Sequence, residues 1–126
     1  MRKYVGEGDF ATRGVRVHHD HPSSTVTIRL DGILDGPVSE FLGESFRSMD
    51  FTGCRRILID FSHISRYESS AVSGLKDLLM FAKLQSLDVI FLGLERSLEK
   101  KFRAQGFHAL VSFPGRTTRK IGLPTY

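Results

Sequence analysis

The chain has 126 residues, with 18 Lys and Arg against 14 Asp and Glu, and a formal net charge of +4. This length predicts a single domain, because two domains of about sixty residues would each have a thin hydrophobic core. The composition, 40% hydrophobic and 25% charged, is typical of a globular protein and excludes an intrinsically disordered chain. No apolar run approaches the roughly 20 residues that a membrane span requires, so we expect no membrane insertion.

Two features of the composition favour the cytosol. Charged residues begin the chain, and Glu7 and Asp9 stand where a secretory signal peptide needs an apolar stretch. Cys54 is the single cysteine, which excludes an internal disulfide and any cysteine-based zinc site. We therefore expect a cytoplasmic protein.

The positive charge is unevenly distributed along the chain. Residues 114–126 form a basic tail with three basic side chains and no acid, which leaves a net charge of only +1 for the rest. A second basic group comprises Arg96, Lys100, Lys101 and Arg103. Such groups usually belong to a solvated surface. Since neither a zinc-finger spacing nor an RNA-binding aromatic motif is present, we expect no direct contact with nucleic acid.

The first part of the chain predicts a hairpin. Residues 1–13 are polar and read as a loosely held lead-in. Residues 15–18 alternate apolar and polar side chains, as an edge strand does, and residues 22–24 predict a turn. Residues 25–30 also alternate and are rich in β-branched side chains, which predicts a half-buried strand. The two strands together predict an antiparallel hairpin.

The middle of the chain predicts a helix and a central strand. The Asp-Gly pair at 31–32 interrupts the strand pattern. Apolar residues then recur at helical spacing with charged residues between them, which predicts an amphipathic helix over 38–49. Residues 57–61 form a nearly continuous apolar run, which is typical of a central strand that is covered on both faces.

The last part of the chain predicts two helices and two strands. A helix is predicted from Ser69 to Ala82, followed by an apolar strand over 89–92. Ser97 is the predicted cap of a third helix that runs through Ala104, and Gly106 stands where a left-handed C-terminal cap is expected. Residues 109–113 predict a last short strand.

The predicted order of elements is therefore β-β-α-β-α-β-α-β, which indicates an α/β fold. Strands that are separated by helices must be parallel neighbours, joined by right-handed crossovers. We expect a small mixed β-sheet of four to five strands with helices packed on it, formed by residues 14–113.

Motifs for nucleotide or metal binding are missing from the sequence. No Gly-x-Gly-x-x-Gly follows a strand, and the phosphate-cradling Gly-x-x-x-x-Gly-Lys-Ser/Thr is also missing. His18 and His19 would point to opposite faces of a strand, and His21 lies in a predicted turn, so these side chains are not expected to share a metal ion. We predict no metal site and no cofactor.

The remaining candidates for catalysis are one thiol and two carboxylates. No base can be assigned to Cys54, which is interpreted as a structural thiol just before a buried strand. Nothing in the spacing of Asp60 and Glu68 marks them as an acid–base pair. The sequence therefore predicts no catalytic residues, and a binding protein rather than an enzyme.

The segment from Ile57 to Leu79 is the most informative, because a buried strand leads through a short loop into a helix at Glu68. A helix N-terminus has free backbone N–H groups and partial positive charge, so a phosphate on Ser69 or Ser70 would be well accommodated there. The alternative is that Ser69 or Ser70 only caps the helix, which is the commonest role of serine in this position. The two roles are compatible if one serine caps and the other is modified.

Three segments carry a family pattern in the right order. Residues 25–35 resemble a strand that ends in Gly-x-Leu-Asp, residues 57–71 resemble a strand, a loop and an Asp-Ser-Ser-Gly motif, and residues 89–107 resemble a strand and a helix that ends at Gly. At this spacing, the set resembles the STAS domain, named for sulfate transporters and anti-sigma factor antagonists. The resemblance covers roughly residues 15–113.

The resemblance implies a regulatory role. In the anti-sigma factor antagonist branch, the first Ser of the motif is phosphorylated by an anti-sigma factor that is also a kinase, and the unphosphorylated form binds that partner. The corresponding residue is Ser69, where a phosphate would add about −2 charge and break the interaction. Asp35, Glu68, Ser70 and Ala71 would lie on the same partner-binding surface. No oligomeric state is implied.

Two positions depart from the family motif, since Glu68 replaces the usual Asp and Ala71 replaces the usual Gly. Both departures favour an alternative, the cytoplasmic STAS domain of a sulfate-type anion transporter or a free-standing relative without a phosphorylation switch. Leu34 and Asp35 oppose this alternative, because transporter versions often carry aromatic residues there. A third hypothesis, a small enzyme or ligand carrier, lacks a catalytic constellation.

Overall fold

The computed structural model describes residues 3–4, 10–12, 14–20 and 22–113. The strands in these ranges are β1 (Lys3–Tyr4), β2 (Phe10–Thr12), β3 (Val15–Asp20), β4 (Thr25–Leu34), β5 (Met49–Asp50), β6 (Arg56–Tyr67) and β7 (Asp88–Leu92). The helices are α1 (Gly36–Ser48), α2 (Ser69–Leu84) and α3 (Arg96–Ala104), and a 3-10 turn follows at Phe107–Ala109.

Five strands form one mixed sheet in the order β2-β3-β4-β6-β7. β3 and β4 pair antiparallel and form the predicted hairpin. β4 pairs parallel with β6, and β6 pairs parallel with β7, as the intervening helices predicted. The predicted α/β fold is therefore confirmed. β1 and β5 form a separate parallel pair that the sequence did not predict.

The hydrophobic core lies between one face of the sheet and the helices. Ile57, Ile59 and Phe61 of β6 belong to it, because alternate side chains of a strand point to the same face. The ring of Phe61 packs with those of Phe91 and Phe102, at centroid distances of 4.8 to 5.6 Å. These three rings fix α3 against β6 and β7, beside the carboxyl end of the sheet.

Helices α1 and α2 pack closely against each other. The hydroxyl of Ser39 donates a hydrogen bond to the carbonyl of Ala71 at 3.2 Å. Gly74 lies against the same serine, and a Cβ at this glycine would be 2.7 Å from Ser39 Oγ. Small residues therefore permit the close approach of the two helices whose first turns form the candidate site.

Strands β4 and β6 are longer than the sequence predicted. β4 continues beyond the Asp-Gly pair at 31–32 to Leu34, and β6 continues through the predicted loop to Tyr67. Their pairing extends to these last residues with two register shifts. The predicted loop was wrong because pairing with the neighbouring strand satisfies the backbone even where the side chains are polar.

The predicted last strand over 109–113 is wrong. Ala109 belongs to the 3-10 turn, and Ser112 forms an isolated parallel bridge to Ile90. Phe107 at the start of this turn is fully buried. The N–H groups of Leu110 and Val111 donate to the carbonyl of Phe107, at 2.8 and 3.0 Å, so the backbone turns here where the prediction has it extended.

The predicted cap of the third helix is also wrong. α3 begins at Arg96 and its N-cap is Glu95, so Ser97 lies inside the helix. The hydroxyl of Ser97 donates to Glu95 Oε1 at 2.5 Å. Gly106 has the predicted left-handed conformation, with a φ of 85°.

Two short strands lie in the segment before β3. The predicted lead-in contains β1 and β2, and β2 pairs with β3 at the edge of the sheet. The predicted basic tail, 114–126, and His21 lie outside the described residues. Within the described ranges, no helix combines the length and the apolar character needed to cross a membrane.

Candidate functional site

The candidate site lies at the carboxyl ends of the two central parallel strands. Leu34 and Tyr67, the last residues of β4 and β6, are register partners. The backbone N–H of Glu68 donates to the carbonyl of Leu34 at 2.9 Å, so the pairing extends one residue beyond β6. Asp35 and Glu68 therefore leave the sheet as neighbours, and each stands directly before a helix.

Asp35 has a structural role at the start of α1. Its Oδ1 accepts a hydrogen bond from the backbone N–H of Val38 at 3.0 Å, and its carbonyl accepts one from the N–H of Ser39 at 3.0 Å. This is the geometry of a helix N-cap. The carboxylate is half-buried, so Asp35 both holds the helix and presents part of its charge at the surface.

Glu68 and the two serines form the start of α2. Glu68 is the N-cap, with an extended backbone (φ −111°, ψ 141°), and its side chain makes no capping hydrogen bond. The prediction that Ser69 or Ser70 caps the helix is wrong, because both residues already belong to the first helical turn. All three side chains are exposed. The N–H groups of Ala71 and Val72 donate to the carbonyl of Glu68, at 3.0 and 3.3 Å, and the start of the helix carries partial positive charge.

The two serines face different surroundings. Ser70 lines a cleft of about 650 Å³ between α1 and α2. Ser69 does not line this cleft. Ser73, one turn after Ser69, donates from its hydroxyl to Gln105 Oε1 at 3.0 Å, so this side of α2 faces the end of α3. A group attached to Ser69 would therefore project beside α3 and outside the cleft.

Ala71 lies inside the domain. Its exposure is 0%, and its carbonyl accepts the hydrogen bond from Ser39 of α1. The methyl group that distinguishes Ala71 from the family's Gly therefore packs in the core and is not exposed to a partner. Of the five residues predicted for the surface, the structure brings Asp35, Glu68, Ser69 and Ser70 together there.

A hydrogen-bonded group beside this site was missed by the sequence reasoning. The hydroxyl of Tyr67, just before Glu68, donates to Ser97 Oγ at 3.2 Å, and Ser97 in turn contacts Glu95. This group ties the end of β6 to the start of α3, and two of its members, Tyr67 and Glu95, line a second cleft of about 510 Å³. No local pattern linked Tyr67 to Ser97, because they are thirty positions apart in the chain.

His18 and His19 lie on β3, and Cys54 lies just before β6. His18 is exposed and His19 is buried, which confirms that they point to opposite faces of β3. In the part of the chain that the structure describes, no group of three or more His, Cys, Asp and Glu side chains could hold a metal ion. Cys54 is half-buried, and its thiol donates to the carbonyl of Arg56 at 3.4 Å. Burial raises the pKa of this thiol and outweighs the backbone hydrogen bonds that lower it.

Asp60 and Glu68 do not form a pair. They are eight positions apart along an extended strand, which corresponds to a distance of about 26 Å at a rise of about 3.3 Å per residue. Asp60 Oδ1 instead accepts hydrogen bonds from the N–H and the hydroxyl of Ser62, at 2.9 and 2.7 Å. The carboxylate of Asp60 therefore has a local structural partner on its own strand.

The family assignment follows from the sequence match together with this geometry. A family model described as the STAS domain matches residues 15–121. The chain belongs to the STAS family. The match begins at β3 and includes every element that forms the site. No protein of curated function matches the chain by sequence.

Two solved structures of SpoIIAA share the STAS fold of this chain. The structure of the anti-sigma factor antagonist SpoIIAA in its unphosphorylated form is 19% identical, with a TM-score of 0.60 over 84% of this chain and 92% of that one. The structure of the Bacillus cell fate determinant SpoIIAA in the phosphorylated form is 21% identical, with a TM-score of 0.62 over 82% and 93%. Both likenesses concern the fold.

A third solved structure, that of Mglu, shows the same architecture in a larger setting. It is 17% identical, with a TM-score of 0.55 over 72% of this chain. The match covers 23% of the Mglu chain. The fold therefore occurs both as nearly a whole chain, in SpoIIAA, and as a minor part of a longer one.

Proposed function

We propose that this STAS domain is a regulatory protein-binding module of the anti-sigma factor antagonist type. Its partner is an anti-sigma factor that is also a serine kinase, and it binds the surface formed by Asp35, Glu68, Ser69 and Ser70. Phosphorylation of Ser69 controls the interaction. The module acts in the cytoplasm and is not itself an enzyme.

The observation that carries this proposal is the exposure of Ser69 in the first turn of α2. The hydroxyl is accessible to a kinase, and it is not used as the helix cap. The N-terminus of α2 favours an attached phosphate, because the helix dipole places partial positive charge there. The first turn of α2 contains no acidic residue that would already occupy this role.

The effect of the phosphate on a partner follows from its charge. A phosphate on Ser69 adds about −2 charge beside the carboxylates of Glu68 and Asp35. A partner that packs against the neutral hydroxyl would have to bury this dianion, at a cost that exceeds the gain of a normal contact. The unphosphorylated module therefore binds the partner, and the phosphorylated module releases it.

The test is affinity capture from a lysate of the native cells. The wild-type chain is compared with Ser69→Ala, which cannot be phosphorylated, and with Ser69→Asp, which places a permanent negative charge at this position. We expect Ser69→Ala to retain a kinase-type partner that Ser69→Asp loses. Ser23→Asp is the control for an added negative charge and should keep the partner, because this exposed serine lies before β4, at the opposite end of the strand from Asp35. Identical partners for Ser69→Ala and Ser69→Asp would refute the switch and leave a plain binding module.

The alternative function is that of a transporter STAS domain or a free-standing relative without the switch. The presence of Glu68 and Ala71 at the positions of the family's Asp and Gly favours it. A native open reading frame with apolar spans upstream of this domain would support the transporter. Phosphate on Ser69 in the protein recovered from cells would support the switch.

A further inference from the structure

The cleft between α1 and α2 continues the proposed surface along the length of α2. Ser70 lies at one end of the cleft, and Asp77 lines it two turns later. Leu84 follows after another two turns. Because residues seven apart align on a helix, these three side chains mark one line of about 21 Å along the exposed side of α2.

The lining of this cleft is acidic. Glu40 and Glu44 of α1 and Asp77 of α2 contribute carboxylates, and Arg47 contributes a cation. The guanidinium of Arg47 folds over Gly43, where a Cβ would lie 3.5 Å from its terminal nitrogen. Among the described residues, none of the three carboxylates forms an ion pair; the pairs there join Asp31 to Arg16 and Arg29, and Glu99 to Arg103.

The lysines of α2 do not neutralise the cleft, because they point away from it. The ammonium of Lys76 lies 5.8 Å from the centroid of the Phe107 ring. The ammonium of Lys83 donates to the carbonyl of Ala109 at 3.5 Å. Both side chains therefore reach toward the 3-10 turn, on the other side of α2, and the cleft keeps its negative charge although the whole chain is basic.

The far end of the same surface is apolar. Leu84 is 80% exposed and Met80 is 49% exposed, and only Ile33, at 37%, joins them as an exposed large hydrophobic side chain in the described ranges. Met80 and Leu84 are one turn apart; Leu84 lies on the line through Asp77, and Met80 lies beside this line, toward Lys76. Two neighbouring apolar side chains with this exposure lose contact with water when a partner covers them.

The charge pattern is unfavourable for the isolated chain. Glu40 and Glu44 are four residues apart on α1, where like charges repel and destabilise a helix. A basic partner would turn this repulsion into attraction, and a groove between two packed helices accepts the ridge of a third helix. The cleft has the charge that one face of such a helix would complement, and the exposed Met80 and Leu84 lie beyond the residues that line it.

We infer that the α1–α2 cleft binds a basic amphipathic helix of a partner protein. Lys or Arg side chains of this helix lie against Glu40, Glu44 and Asp77, and its apolar residues cover Met80 and Leu84. The inference rests on the proposed binding function and specifies the chemistry of the partner. It extends the contact surface from the helix start to the C-terminal end of α2.

The probe is a synthetic helical peptide of about 18 residues, with Lys on one face and Leu at one end. Its binding to the full chain is measured by fluorescence anisotropy at low and at moderate salt. We expect binding that weakens with salt, and a loss of about tenfold or more for Glu44→Lys and Asp77→Lys. The matched control is Asp88→Lys, which reverses an exposed acid outside the cleft and should change the affinity less than twofold.

A second measurement locates the peptide. Amide shifts in a two-dimensional NMR spectrum should change along α1 and α2, from about residue 36 to 48 and from 69 to 84, and Leu84→Ser should reduce them. A scrambled peptide of the same composition should bind at least about tenfold more weakly. The inference would be overturned if the scrambled peptide bound equally well, or if Asp88→Lys lost as much peptide affinity as Glu44→Lys and Asp77→Lys. Amide shifts centred away from α1 and α2 would overturn it as well.

Ser69→Asp separates this inference from the proposed switch. Ser69 does not line the cleft, so the basic peptide should bind Ser69→Asp and the wild type with similar affinity. Loss of the cellular partner from Ser69→Asp, with unchanged peptide binding, supports both proposals. If Asp77→Lys retains the captured kinase with full affinity, the cleft is not the partner site, whereas the switch at Ser69 still stands.

Discussion

The backbone N–H of Glu68 donates to the carbonyl of Leu34 at 2.9 Å. This single bond carries the parallel pairing of β4 and β6 beyond the end of β6 and places Glu68 beside Asp35. Each of these acids begins a helix, but in different ways, since Asp35 caps α1 with its side chain and the Glu68 side chain does not cap α2. The site is therefore built from the two adjacent strand ends of the sheet.

The capping role of Asp35 can be separated from its proposed role in partner binding. Asp35→Ala removes the acceptor for the Val38 N–H and should lower the free energy of unfolding by about 1 kcal/mol. Asp35→Asn keeps a capping oxygen and should cost only a few tenths of that amount, although it removes the charge. Urea unfolding measures both variants. An equal loss of stability in the two would show that the charge of Asp35, and not its cap, holds α1.

A negative charge at Ser69 should not weaken the fold. Ser69→Asp places a carboxylate in the first turn of α2, where the helix dipole favours it by about 0.3–1 kcal/mol, with some offset from the nearby Glu68. Thermal unfolding should give a melting temperature equal to or above that of the wild type. The control is Gln85→Glu at the C-terminal end of α2, which should lower it. Destabilisation by Ser69→Asp would make any loss of its partner uninformative about a switch.

Gly93, in the loop between β7 and α3, has both an unusual conformation and no room for a side chain. Its φ is 69°, and a Cβ would lie 2.7 Å from Ser62 Cβ and 2.9 Å from the backbone N of Ser62. Gly106 has a φ of 85° but open space around it. Gly106→Ala should lower the free energy of unfolding by about 1–2 kcal/mol, because of the left-handed conformation alone. Gly93→Ala should lower it by at least about 1 kcal/mol more, because the backbone must also shift. Equal losses in chemical denaturation would show that this loop can relax.

The half-buried thiol of Cys54 should react slowly with alkylating reagents and should make stability depend on pH. Because burial raises its pKa above the ordinary value of 9.0, the folded chain should react more slowly with iodoacetamide than the urea-unfolded chain at the same pH. As the pH rises through 9.0, the thiol of the unfolded chain ionises before the thiol of the folded chain. The stabilisation that folding gains from the neutral thiol is therefore complete below this pH and is lost as the pH rises through the folded-state pKa. Cys54→Ser should lack this decline. Matching pH profiles for the wild type and Cys54→Ser would contradict the pKa shift.

The order of strands and helices was predictable because it depends on hydrophobic periodicity. The alternation over 25–30, the apolar run over 57–61 and the helical spacing after Ser69 each correspond to an observed element. The ends of elements were less predictable. Residues 62–67 were predicted as a loop because most of their side chains are polar, but β4 supplies backbone partners that no local pattern reveals.

The composition of the candidate site was predictable only in part. Asp35, Glu68, Ser69 and Ser70 were found through the motif, and the parallel pairing of β4 and β6 brings them to one edge. The burial of Ala71 depends on the approach of α1, which local sequence does not show. The same is true of the contact between Tyr67 and Ser97, since it depends on how β7 and α3 pack beside β6.

An authentic phosphate at Ser69 should by itself release the partner. The captured kinase would be used to phosphorylate the wild-type chain, the modified residue would be mapped by mass spectrometry, and both forms would be titrated against that partner by calorimetry. The predicted result is one phosphate on Ser69, none on the Ser69→Ala variant, and an affinity at least about tenfold lower after modification, or about 1.4 kcal/mol. Equal affinities of the two forms, or a phosphate found only at another residue, would contradict the account.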